Sequence, residues 1–284
     1  MNLLSALPKI CVVLGFAVLA GCGGSQPVAP RFTGLTFPDP ELDTAVRRAI
    51  LKPTGNIMPA DVAGLRWFSA ARHGVTNLAG IEKLTALRSL DLSSNRIEDI
   101  APLSGLRSLE LLYLNNNMIR DISPLSAMTS LVTLDLSGNE IESVGALEMF
   151  HDLRLLYMNG NRIEDLSPLS GLTFLEILYL SNNRIVDIGP LTDLVSLITL
   201  YLSSNEIVDI TALAKLTSLD YVSLFENQIT EIDVLVANPG IGTFDTVVLT
   251  GNALSEHALT VQIPALEARR VTVIVAPDIY ILGS

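Results

Sequence analysis

Residues 175–196 read LEILYLSNNRIVDIGPLTDLVS, and the spacing within this segment recurs along most of the chain. Its central asparagine belongs to a series in which each member follows the previous one after 22 residues. The series comprises Asn95, Asn117, Asn139, Asn161, Asn183, Asn205 and Asn227. Leucine or another apolar residue stands eight, five and three positions before each asparagine, and isoleucine stands two positions after it. A fixed period of this length indicates a repeat architecture.

Each repeat unit contains two different local patterns. The alternation of leucine with other residues before the asparagine predicts a short strand. The Pro-Leu pairs that follow, such as Pro190-Leu191, predict a tight helical turn. One unit cannot bury its leucines alone, so stacked units must enclose a common core between a parallel sheet and a row of turns. We expect each asparagine amide to form hydrogen bonds with backbone groups of its own coil and of the neighbouring coil. Loss of one such buried partner should lower the stability by about 1–3 kcal/mol.

The unit L-x-x-L-x-L-x-x-N-x-I-x-D-I-x-P-L-x-x-L-x-x resembles the leucine-rich repeat, in the 22-residue form of internalins and related bacterial proteins. The resemblance implies an α/β leucine-rich repeat solenoid shaped as a curved right-handed horseshoe. A parallel β-sheet would form the concave face, short 3-10 or helical turns the convex face, and a helical cap the amino-terminal end.

The expected boundaries are a cap at residues 37–64, about nine coils at residues 65–254, and a carboxy-terminal cap and tail at residues 255–284. Asp39 and Pro40 predict the start of the cap helix. His73 takes the asparagine position of the first coil, where local hydrogen bonding is favoured over a role as ligand or base. Phe244 takes a leucine position in the last coil, before Asn252. Residues 255–270 predict a helix interrupted near Pro264, and residues 271–275 a final strand.

The first 22 residues carry one charge and an apolar run that ends in Leu19-Ala20-Gly21-Cys22. This segment resembles a lipoprotein signal peptide at residues 1–21, which implies lipidation of Cys22 and a flexible tether at residues 22–36. The implied location is the bacterial cell envelope, with the chain anchored in the outer membrane or at the cell surface. The alternative is an ordinary secretory signal in which Cys22 is incidental.

Composition limits the possible functions. The 284 residues carry a net charge of -12 without a basic cluster, which disfavours nucleic acid as a partner. The histidines lie in different coils, and neither zinc-ligand spacing nor a phosphate-binding loop occurs. We therefore expect no enzymatic activity and no cofactor. Acidic residues recur four positions after the asparagines. They could bind cations, but a role as acceptors of hydrogen bonds from backbone N–H groups of the turns is favoured. This row comprises Asp99, Asp121, Asp165, Asp187, Asp209 and Glu231.

Residues between the inward leucines should point out of the concave face, because side chains alternate along a strand. They form an aromatic and aliphatic stripe with an acidic rim, which predicts a site for a protein partner on a monomeric chain. The rim comprises Asp91, Glu110, Asp135, Glu176, Asp220 and Glu226. The predicted site comprises Leu111, Tyr113, Asp135, Leu155, Tyr157, Ile177, Tyr179, Tyr201, Tyr221 and Phe225. The alternatives are glycan binding through the tyrosine faces and a purely structural role in the envelope.

Overall fold

The fold is taken from a computed structural model, which describes residues 34–275. The predicted signal peptide, Cys22 and the tether up to residue 33 lie outside the described residues. Ten three-residue strands form one sheet in chain order, and all neighbours pair in parallel. The strands are β1 Trp67–Ser69, β2 Ser89–Asp91, β3 Leu111–Tyr113, β4 Thr133–Asp135, β5 Leu155–Tyr157, β6 Ile177–Tyr179, β7 Thr199–Tyr201, β8 Tyr221–Ser223, β9 Thr246–Val248 and β10 Thr272–Ile274.

Each coil returns from its strand through a short helical turn on the opposite side of the core. A 3-10 turn serves this purpose in most coils, and its apolar residues are buried under the sheet. The turns span Ile81–Lys83, Ala101–Leu103, Ser123–Leu125, Gly145–Leu147, Ser167–Leu169, Gly189–Leu191 and Thr211–Lys215. The α-helix Asp233–Ala237, here α3, takes this place in the following coil. Together the strands and turns confirm the predicted leucine-rich repeat solenoid.

The asparagines form a ladder of buried side-chain hydrogen bonds between successive coils. The Asn161 Oδ1 accepts from the Ile141 N–H of the preceding coil at 3.0 Å. Its Nδ2 donates to the carbonyls of Leu136 and Met158, at 3.0 and 3.1 Å. Asn252 makes the same three contacts in spite of its longer spacing. The ladder confirms that the amide satisfies backbone groups of two coils at once.

The amino-terminal cap contains helices α1, Pro40–Ala49, and α2, Pro59–Val62. Asp39 is the N-cap of α1, because its Oδ1 accepts from the N–H groups of Glu41 and Leu42 at 2.9 and 3.1 Å. Its Oδ2 accepts from the N–H groups of Thr76 and Asn77 in the first coil, at 2.8 and 3.0 Å. Burial raises the pKa of Asp39, but the hydrogen bonds from Thr76, Leu42 and Asn77 outweigh it and hold the pKa below its ordinary value.

The first coil differs from the others at its asparagine position. The His73 Nδ1 lies 2.8 Å from the carbonyl oxygen of Ala71, two residues earlier in the chain. Its Nε2 lies 3.4 Å from an Arg48 guanidinium nitrogen of the cap helix. The prediction that His73 bonds locally at the end of the stack is confirmed.

The carboxy-terminal end shows one wrong prediction. Phe244 was expected in the core, but it is 89% exposed and has a φ of 79°. Ile241, 1% exposed, fills the core instead. The insertion around Asn238 explains the exchange, because its Nδ2 holds the loop against the carbonyls of Leu213 and Leu216, at 2.8 and 3.2 Å. The loop therefore enters the core three residues earlier than the spacing of the other coils predicts.

The carboxy-terminal segment closes the stack. A π-helical turn at Ala258–Gln262 leads into helix α4, Ile263–Ala268. The Gln262 side chain accepts from the Ile232 N–H at 2.8 Å and donates to Glu231 at 2.8 Å. After α4 the chain adds β10 to the sheet. One apolar core runs from Phe37 to Val271. Within residues 34–275, no helix is long and apolar enough to cross a bilayer.

Candidate functional site

The outward side chains of the strands form two columns on the concave face, because the middle residue of each strand points into the core. The register places the first residues of successive strands side by side, and likewise the third residues. The first column contains Trp67, Ser89, Leu111, Thr133, Leu155, Ile177, Thr199, Tyr221 and Thr246. The second column contains Ser69, Asp91, Tyr113, Asp135, Tyr157, Tyr179, Tyr201, Ser223 and Val248. All ten residues of the predicted site are half-buried; nine lie in these columns, and Phe225 lies just beyond β8.

Four tyrosines form a continuous run across β5 to β8, named the tyrosine block. Tyr157 and Tyr179 meet edge to face with ring centroids 4.9 Å apart. The ring centroids of Tyr179 and Tyr201 lie 4.3 Å apart, and the two ring planes are tilted by 51°. Tyr201 stacks on Tyr221, with centroids 4.9 Å apart and 26° between the planes. Tyr221 belongs to the first column, so the run changes column at its end. Tyr113 stands apart from the block, because Asp135 separates it from Tyr157.

Packing in the tyrosine block fixes the rings. Aromatic pairs in such geometries contribute about 0.5–1.5 kcal/mol each beyond area burial. Burial is the largest cause that raises the pKa of Tyr201, followed by the contact with Tyr221. Burial is also the main cause that raises the pKa of Tyr157, with Tyr179 next. The phenols of Tyr157 and Tyr201 therefore stay neutral at physiological pH, and the block presents pre-ordered ring surface with hydroxyl donors.

Trp67 extends the apolar surface at the first strand. It lies in the first column and is 71% exposed, far more than the half-buried tyrosines. The predicted site left it out, although its column position was visible in the repeat. Its exposure follows from its place at the edge of the sheet, where no earlier coil covers it.

Two aspartates lie in the second column on either side of Tyr113. Asp91 accepts from the Ser93 N–H at 3.0 Å and from the Ser69 hydroxyl at 3.2 Å. Asp135 accepts from the Ser137 N–H at 2.9 Å. Burial raises the pKa of Asp135 in spite of the hydrogen bonds from Ser137, and the negative charge of Asp91 raises it further.

The rim beside the strands is less acidic than the sequence indicates. Glu110 and Glu176 precede β3 and β6 and were expected to add free negative charge. In the structure Glu110 pairs with Arg88, and Glu176 pairs with Arg154 of the preceding coil. The charges of these pairs cancel, so Asp91 and Asp135 carry the acidity of this half of the face.

The acidic row beyond the asparagines serves the turns. Asp121 accepts from the Ser123 N–H at 2.8 Å, and Asp187 accepts from the Gly189 N–H at 2.7 Å. Asp99, Asp165 and Asp209 make the same contact two residues ahead, each at 2.8 Å. This confirms the role as turn acceptors for the five aspartates, whereas Glu231 accepts from the Gln262 side chain at 2.8 Å. Residues 34–275 contain no group of three or more potential metal ligands.

A cleft of about 540 Å³ lies between the coils on the side beyond the asparagines. Its charged lining residues are engaged with one another, because Glu140 lies between Arg120 and Arg162 at 2.8 and 3.0 Å. The charged side chains of this cleft therefore pair with one another and are not free to bind a ligand. The concave face remains the stronger candidate site.

Comparison with known proteins agrees with this architecture. Models of leucine-rich repeats match residues 83–100, 107–149, 151–193 and 173–229. The crystal structure of an internalin (inlF) from Listeria monocytogenes is 30% identical, with a TM-score of 0.77 over 84% of this chain and 68% of that chain. This chain belongs to the leucine-rich repeat family. It is also similar to an internalin C2 from Listeria monocytogenes, at 35% identity and a TM-score of 0.68 over 77% of this chain and 93% of that chain.

The same fold occurs in a plant protein. The leucine-rich repeat ectodomain of a membrane receptor kinase from Arabidopsis thaliana shares the fold, at 22% identity and a TM-score of 0.54. The match covers 66% of this chain and 27% of the receptor chain. That receptor was solved in complex with CASPARIAN STRIP INTEGRITY FACTOR 2. No curated protein matches the chain by sequence.

Proposed function

We propose that this leucine-rich repeat protein is a non-enzymatic binding module that recognises a protein partner through its concave face. Lipidation of Cys22 would hold it in the bacterial cell envelope. The observation that carries the proposal is the tyrosine block, which spans four strands and about 14 Å at the usual strand spacing.

Several features support recognition of a protein. Tyrosine is enriched at the energetic centres of interfaces, since it offers a large apolar ring and a polar end. Leu155 and Ile177 lie next to the block in the first column and are half-exposed. Repeat solenoids commonly bind partners along their extended curved surface. The plant receptor ectodomain, seen in complex with a partner, has the same fold.

The test replaces Tyr157, Tyr179 and Tyr201 together by Ser and measures capture of envelope proteins by the immobilised full chain. We expect the variant to lose the proteins that wild type captures. A matched control replaces three apolar residues that are exposed away from the concave face. These are Met149, Val186 and Val208, with exposures of 58%, 56% and 53%. The control should capture as wild type does.

Thermal unfolding of the same variants separates binding from structure. Loss of three half-buried rings removes stacking worth about 0.5–1.5 kcal/mol per pair, so a modest fall in melting temperature is expected. A collapse of stability without any effect on capture would instead favour a structural role for the tyrosines. Binding to a glycan array, with no protein captured, would favour the glycan alternative.

The proposed anchor has a separate test. Cys22 carries the only thiol after residue 21, and lipidation there would place the protein in the membrane fraction. Two or more acyl chains hold a protein firmly, whereas one binds marginally. We expect Cys22→Ser to move the protein from the membrane to the soluble fraction. Wild type in the soluble fraction would contradict the anchor and would leave the binding proposal unaffected.

A further inference from the structure

Within the two columns of the concave face, charge is confined to one end. Across both columns of β1 to β9, Asp91 and Asp135 are the only charged residues. Neither forms an ion pair within residues 34–275. The two columns are therefore acidic over β2 to β4 and uncharged and aromatic over β5 to β8; the exposed Asp220 lies beside β8, outside the columns.

The acidic end has a defined geometry. The register puts Asp91, Tyr113 and Asp135 on three adjacent strands, so the two carboxylates flank the ring at about 4.8 Å per strand. A cationic group above Tyr113 would face the ring and both carboxylates, and each of these contacts attracts it. The hydroxyl and N–H groups of the neighbouring serines fix the carboxylates in place.

The surrounding groups leave this negative charge uncompensated. Tyr113 and Tyr157 face Asp135 from the adjacent strands, and neither is a basic residue. Burial, and to a smaller degree Asp91, raise the pKa of Asp135. An arriving cation would relieve the repulsion between the carboxylates, and acidification would weaken that attraction.

We propose that the partner is a protein segment that places an arginine or lysine over Asp91, Tyr113 and Asp135, and an aromatic or apolar side chain over the tyrosine block. This inference rests on the proposed function and adds the partner's chemistry and its direction along the face. Tyr113 and Tyr179 are three strands apart, about 14 Å. An extended segment covers that distance in about four residues.

The test selects a random peptide library displayed on phage against the immobilised full chain. We expect the enriched peptides to contain arginine or lysine at a fixed spacing from an aromatic or large apolar residue. Selected peptides are then synthesised, and their affinities are measured for wild type and for the double variant Asp91→Asn and Asp135→Asn. Because asparagine retains an oxygen acceptor for the serine N–H groups, this variant changes charge with little change in structure.

The double variant should bind the peptides about tenfold or more weakly, as expected for the loss of charge-assisted contacts. Rising salt should weaken wild-type binding and have less effect on the variant. The matched control neutralises two exposed acids away from the sheet, Glu98→Gln and Glu148→Gln, and should bind as wild type does.

Two failures are distinguishable. Enriched peptides that lack basic residues, or that bind the double variant as tightly as wild type while losing affinity for the tyrosine triple variant, would overturn this inference alone. If no selected peptide depends on the tyrosines, the proposed function itself is wrong.

Discussion

The asparagine ladder makes a quantitative prediction about coupling between coils. Asn161→Ala removes the acceptor of the buried Ile141 N–H, at 3.0 Å, and one of the donors to the carbonyls of Leu136 and Met158. Each carbonyl is shared, however. The Leu136 oxygen also accepts from the amide of Asn139, at 2.9 Å, and the Met158 oxygen from the amide of Asn183, at 3.0 Å. A single replacement therefore leaves the Ile141 N–H as the one group without its acceptor.

The expected cost follows from this count. An orphaned buried N–H costs about 1–3 kcal/mol, and two weakened carbonyl contacts add about 1 kcal/mol together. We expect Asn161→Ala to lower the free energy of unfolding by about 2–4 kcal/mol. Asn115→Ala is the control, because Asn115 is a half-buried asparagine at the edge of the face, outside the ladder.

A double-mutant cycle measures the coupling between two asparagines that donate to the same carbonyl oxygen. Replacing Asn161 and Asn183 together removes both amides that donate to the Met158 oxygen, so this pair should cost more than the sum of its parts, by about 1–3 kcal/mol. Asn161 and Asn205 share no carbonyl, because Asn205 donates to Leu180 and Leu202. Their effects should add within about 0.5 kcal/mol. Urea denaturation measures all these variants, and equal coupling in the two pairs would refute the reasoning.

Three further outcomes are expected at the ends of the stack. The pKa of Asp39 lies below its ordinary value of 3.8, so its stabilisation is complete above pH about 4 and is lost as pH falls through the folded-state pKa. Asp39→Asn should lower stability at neutral pH and flatten the acid limb in pH-dependent unfolding; an unchanged acid limb would exclude this role. Gly240→Ala should destabilise by about 1–3 kcal/mol or more in thermal melts, because its Cβ would lie 2.1 Å from the Thr217 carbonyl oxygen; a neutral result would show that the loop can move. Ile241→Ala should cost about 2–5 kcal/mol and Phe244→Ser much less, and the reverse order in denaturant titrations would restore Phe244 to the core.

Much of the candidate site could be derived from the repeat. Once the period was fixed, alternation assigned Tyr157, Tyr179 and Tyr201 to one outward column, and the register confirms their alignment. Two properties of the site depend on the tertiary structure. The exposure of Trp67 depends on the absence of an earlier coil above it, and the diagonal contact of Tyr221 with Tyr201 depends on side-chain rotation between columns.

Charge on the rim was predicted less well. Glu110 and Glu176 are isolated acids in the chain, and their arginine partners lie 22 residues earlier. The sequence pattern shows each of these glutamates as an unpaired acid. In the structure, stacking of the coils places each glutamate beside an arginine of the preceding coil. These pairs neutralise Glu110 and Glu176, so the free negative charge beside β3 is that of Asp91 and Asp135.

The sequence by itself determined the coil, because a 22-residue period of leucines and asparagines can bury its apolar side chains in one way only, by stacking. It also determined the start of the cap helix, since Asp39 and Pro40 act through local backbone geometry. The tertiary structure alone decided how the ends close and where charge remains. The second carboxylate oxygen of Asp39 accepts from the Thr76 N–H, and Ile241 replaces Phe244 in the core. Glu110 and Glu176 form ion pairs with arginines of the preceding coils. These outcomes depend on distances between residues that are remote in the chain, and local pattern carries no information about them.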